Sequence, residues 1–82
     1  MPLYMDVHRN VDAGVDAVVE AHKLDLEVQD EYEVDYQRFW IDEEEGVVFC
    51  LFEAPSKAAG EAVHRESHGL LAEEIFEVHE GE

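Results

Sequence analysis

The chain has 82 residues, enough for one two-layer core and small enough that a partner subunit would add usefully to its burial. Its 22 Asp and Glu against 5 Lys and Arg give a net charge of −17, which excludes the basic footprint of ordinary nucleic-acid binding and argues against docking on anionic membranes. Apolar residues are a normal 46%, so the acidity does not reflect missing core material.

The acids lie in every segment and Lys is scarce. That pattern favours a surface adapted to very high salt, where self-repulsion is screened, over a surface that collects cations. Without an apolar run of spanning length or the basic and apolar regions of a secretion signal at Met1–Asp6, the expected location is the cytoplasm. A single cysteine, Cys50, excludes an internal disulfide and multi-cysteine metal sites. Metal chemistry would have to use histidine and carboxylate.

Leu3–Arg9 alternates, with Leu3, Met5 and Val7 on one side and Tyr4, Asp6 and His8 on the other, as in a strand with one dry face. The first face is assigned to the core, leaving Tyr4, Asp6 and His8 on the open one. Asn10–Gly14 is turn-like, and Asp12 is placed to cap the next helix. Val15–Gln29 has two apolar stripes, Val15, Val18, Val19 and Leu26 with His22 among them, and Ala17, Ala21, Leu24 and Val28. Only a narrow wedge of Asp16, Glu20, Lys23 and Glu27 is strictly polar. A helix apolar on two sides packs on its own sheet and meets something more, such as a second subunit.

Asp30–Val34 is a connection. Asp35–Asp42 is a strand with Tyr36, Arg38 and Trp40 alternating against Gln37, Phe39 and Ile41. After the tight turn Glu43–Gly46, the almost purely apolar Val47–Phe52 reads as a central strand paired with its predecessor in a hairpin. Pro55–Ser56 opens a second helix with Ser56 as N-cap, Gly69 stops it, Leu70 and Leu71 pack beyond, and Glu74–Glu80 is a last strand. Residues 1–82 therefore form a single α+β domain, the ferredoxin-like βαββαβ sandwich. It has a four-stranded antiparallel sheet with both helices on one face. The open face, carrying tyrosine and tryptophan, predicts a homodimer packed face to face.

The most pointed chemistry is His64-Arg65-Glu66-Ser67-His68-Gly69. Four residues apart on a helix, His64 and His68 share a face about 6 Å apart at Cβ, a spacing that can chelate one transition-metal ion. A surface pair with no ligand is the bland reading. His22 likewise reads more simply as a hydrogen-bonded, half-buried histidine, and Cys50 as a small apolar residue with a raised pKa.

Three stretches carry a resemblance: the opening Met1–Arg9, the hairpin Phe39–Asp42 with Gly46–Ser56, and the ending His64–Gly69. Together they resemble the small nickel-binding, nickel-responsive ferredoxin-like proteins, many recorded only as a domain of unknown function, over Leu3 to about Val78. The resemblance implies a dimer, nickel held through histidines and acids, and sequestration of the metal or response to it rather than catalysis. His8, His22, His64 and His68 match the family's histidine-bearing segments, whereas His79 lies outside them. Nickel itself does not follow from the residues, since imidazole and carboxylate also suit zinc, copper and cobalt.

Topology alone brings His8, His68 and the acidic turn Asp42–Glu45 to one edge of the domain. Besides the metal-binding dimer, two readings stand. One is a dimeric α+β barrel that binds or transforms a small organic molecule in an inter-sheet cavity lined by Tyr4, His8, Tyr36 and Trp40, with His8 or Asp6 moving a proton. The other is a structural dimer without ligand. No nucleophile and base occur at an informative spacing and no organic cofactor is expected, so catalysis is the less favoured reading.

Overall fold

Strand periodicity and helix-stop chemistry set the order of elements in the computed structural model, which describes residues 1–81. The elements are β1 (Leu3–His8), α1 (Val15–Val28), a short 3-10 turn (Gln29–Tyr32), β2 (Asp35–Asp42), β3 (Val47–Glu53), α2 (Lys57–Ser67) and β4 (Glu74–Glu77). The sheet order is β2-β3-β1-β4 with every pairing antiparallel, which with the two helices is the ferredoxin-like fold. Among the described residues no helix is long and apolar enough to cross a membrane.

Several local expectations are corrected. Asp12 does not cap α1: Gly14 occupies the N-cap position without a side-chain bond, whereas Ser56 caps α2 by accepting from the Ala59 amide at 3.2 Å. The last strand ends at Glu77 rather than Glu80, and the connection after α1 winds into a 3-10 turn. Leu70 and Leu71 stay largely exposed instead of packing.

The largest correction is the facing of β1. Tyr4 and Asp6 are buried toward the helices and His8 rests against His64 of α2, with ring centroids 5.0 Å apart. Tyr36 also turns inward, stacking on Phe52 and donating to the Gly60 carbonyl of α2 at 3.0 Å. The register shift between Tyr36 and Arg38 explains it: an extra residue in β2 places Tyr36 on the same face as Phe39 and Ile41, and leaves Trp40 on the other. The open face therefore carries Leu3, Met5, Leu51, Phe49, Trp40 and Phe76, and of the four residues expected to line an inter-sheet cavity only Trp40 is there.

The helix-side core is built from Tyr4, Val34, Tyr36, Val48, Cys50, Phe52, Ala54 and Val63. Gly60 lets α2 lie directly on it, because a Cβ there would come within 2.6 Å of Phe52 Cζ. That close seat carries His64, one turn further on, down to the sheet. Gly69, at φ +78°, ends the helix by donating to the His64 carbonyl at 2.7 Å.

Candidate metal centre

His64 is buried between two carboxylates. Its Nδ1 donates to Asp25 Oδ1 of α1 and its Nε2 to Asp6 Oδ2 of β1, each at 2.9 Å. Both partners being acceptors, both ring nitrogens carry protons and the ring is an imidazolium. Burial works against that charge, but the hydrogen bonds that His64 donates to Asp25 and Asp6, and the charges of those carboxylates, outweigh it and raise the His64 pKa to about 9. Burial likewise disfavours the two carboxylates as anions, but the bonds and charge of His64, joined by His8 at Asp6 and by His68 and Ser67 at Asp25, together outweigh it and hold both below their usual range. Two buried carboxylates thus share one imidazolium, in an interior where any charge left unpaired is costly.

Around this core stand five more side chains. Ser67 donates to Asp25 Oδ1 at 2.7 Å, and His68 Nε2 lies 3.2 Å from the same oxygen. On the other side His8 Nε2 is 3.2 Å from Asp6 Oδ1, outside hydrogen-bonding geometry, so that this fully buried oxygen has no bonded partner. Tyr36 tilts over the His64 ring with centroids 4.7 Å apart, and burial pushes its hydroxyl far above the ordinary range. Cys50 is held as a thiol by burial and by the neighbouring Asp6 charge.

Among the described residues two sets of donor atoms come within 4.8 Å of one another: Asp25, His64 and His68, and Asp6, His8, Cys50 and His64. Bonds of roughly 2.1 Å to adjacent corners of a coordination sphere place ligand atoms about 3 Å apart. The separations of 2.9 and 3.2 Å about Asp25 Oδ1 have that size, and the residues present fit a transition-metal ion. Metal at His64 Nδ1 would leave Nε2–H on Asp6, the carboxylate–histidine–metal arrangement that fixes tautomer and ring orientation.

Of the four histidines singled out in the sequence, His64 and His68 come together around Asp25, and His8 joins from β1. His22 belongs to neither donor set; its ring packs on Phe39 with centroids 5.0 Å apart, and burial lowers its pKa. The acidic turn Asp42–Glu45 shares the edge but not the cluster: Gly46 bonds to Val11 and Glu43 lies by Gly14. Nothing in the sequence pattern marks Asp25 or Ser67 as ligand partners, and alternation in β1 assigns Asp6 to the open face rather than to a metal site. Asp25 did leave a trace, since at 3.6 residues per turn it sits roughly 180° from Asp16, alone on the side opposite the polar wedge.

This is a small ferredoxin-like protein with a buried histidine–carboxylate cluster at metal-ligand spacing. Residues 4–78 match the family described as nickel responsive protein, SCO4226-like, and the chain belongs to that family. Among solved structures it is similar to the crystal structure of SCO4226 from Streptomyces coelicolor A3(2). The TM-score is 0.88 at 37% identity, covering 98% of this chain and 99% of that one. No curated protein matches the sequence.

Proposed function

We propose that this protein holds a divalent transition metal, nickel in keeping with its family, at Asp25, His64 and His68, and that it sequesters the ion or responds to it rather than performing catalysis. The observation that carries this reading is the convergence of His64 Nδ1 and His68 Nε2 on Asp25 Oδ1 at coordination-edge distances. Charge supports it as well: a divalent ion that displaces the Nδ1 proton of His64 balances both buried carboxylates. His68 Nδ1 accepts from the Leu70 amide at 3.1 Å. On ligation through Nε2 that nitrogen takes the proton and the amide of exposed Leu70 turns to water. His8 and Asp6 act behind His64, and His22 is wall rather than ligand.

The functional unit in this reading is a cytoplasmic homodimer joined through the open sheet face, whose apolar side chains would otherwise meet water. Its acidic exterior suits high salt. Calorimetric titration of tag-free protein with nickel, zinc and magnesium tests the metal assignment. Nickel should bind and magnesium should not, and His68→Ala, a change at the partly exposed ligand, should weaken nickel by about tenfold or more. Unchanged affinity in His68→Ala and in Asp25→Asn would remove the site.

A further inference from the structure

Beside the cluster lies a cleft of about 530 Å³. One wall is the inward face of α1, where Ala17, Val18 and Ala21 precede Asp25. Phe39 and Val48 form the sheet side, and Leu70 and Leu71 the segment after α2. His64, His68 and Asp25 are part of its lining, so the donors and the cavity form one space.

A bare ion has no use for such a volume. Cavities of 300–1,000 Å³ with mostly apolar walls and a few converging polar groups are the usual form of a small-organic-molecule site. Apolar walls add nothing to the affinity for a hydrated ion, but they do stabilise the surface of an organic body. Three protein donors, from α1, α2 and the residue that caps α2, also leave part of a six-coordinate sphere to other ligands.

We infer that the metal is taken up as a complex with a small chelator of apolar, ring-like body, the protein supplying Asp25, His64 and His68 and the chelator supplying further donors from within the cleft. The inference rests on the metal reading given above and adds the chemical class of the second ligand. Ala17 and Ala21 keep the wall of α1 low enough for a ring to enter. Exposed Leu70 and Leu71 cover its outer edge.

Equilibrium dialysis with nickel alone, nickel–bipyridine and nickel–ethylenediamine, each chelator in a one-to-one ratio, tests it. Both chelators are neutral and bind through two nitrogens, so they differ in the apolar body. Metal and bipyridine are quantified separately on each side of the membrane. The expected result is co-retention of nickel and bipyridine, with affinity about tenfold or more above that of nickel–ethylenediamine, the order that ring burial supplies. Ala17→Phe, and independently Ala21→Phe, should abolish that preference while leaving nickel alone bound as before. Equal binding of the two complexes, a preference that survives both cleft-filling variants, or bipyridine stripping the nickel would overturn the inference and leave the metal site standing. Failure of nickel alone to bind would instead overturn the metal reading and the inference with it.

Discussion

The two faces of the sheet invert the usual division between dry interior and wet surface. On the helix side β1 buries Asp6 completely, beside His64 and Asp25, while the opposite face leaves Trp40, Phe49 and Phe76 exposed at 47%, 36% and 49%. The difference teaches that burial follows the availability of partners as much as hydrophobicity. Asp6 goes inward because His64 donates to it, whereas the aromatic residues of the open face gain only by meeting another surface.

Breaking the buried side should have the largest effect. Asp6→Ala leaves an imidazolium without one of its two acceptors, and removing one partner of a buried ion pair costs about 3–5 kcal/mol. Urea denaturation of the metal-free protein should show that loss. A variant as stable as the parent would mean that the network contributes nothing.

The same side should respond to pH. The His64 pKa is raised from 6.5 to about 9, so its contribution is fully present below the unfolded value and is lost as pH rises through the folded one. The depressed pKa values of Asp6 and Asp25 act at the other end: their contribution is complete above 3.8 and is lost as pH falls below it. Melting of the metal-free protein should accordingly be highest between these limits and decline from pH 6.5 to 9, where nickel binding tightens because His64 releases a proton more readily. Melting temperatures that do not change over that upper range would contradict the clamped imidazolium.

Gly60→Ala tests the seat that brings His64 to the sheet. The added methyl meets Phe52, and overpacking of this kind costs about 1–3 kcal/mol. Nickel affinity should fall together with stability, as calorimetry on the folded variant would reveal.

On the open face the expectation is the reverse. Replacing both Trp40 and Phe49 by Ser should change monomer folding by only about 1 kcal/mol or less, about 0.5 for each surface position, while sedimentation shifts from dimer to monomer. A parent protein that sediments as a monomer at all concentrations would remove the homodimer.

Alternation in Leu3–His8, the apolar run Val47–Phe52 and the caps at Ser56 and Gly69 made the elements and their order legible, because these signals are local and periodic. The same alternation misled on facing. It shows which residues share a side, but the side turned to the helices was decided by His64 and Tyr36 waiting there. In β2 one inserted residue at the register shift moved Tyr36 inward, something no period-2 pattern records.

Legibility of the cluster was likewise partial. The spacing of His64 and His68 was visible because they lie one turn apart, in the last turn of α2 and at its C-cap. Asp6 and Asp25, contributed by β1 and α1, were hidden among 22 acids. The sequence by itself determined the fold class, the family and the pair of histidines, since each rests on local period or on similarity along the chain. Only the tertiary structure decided which carboxylates meet His64 and that a cleft opens beside them. Charge-assisted bonds and cavities arise between residues as far apart as Asp6 and His64, and they depend on how closely α2 settles on Phe52.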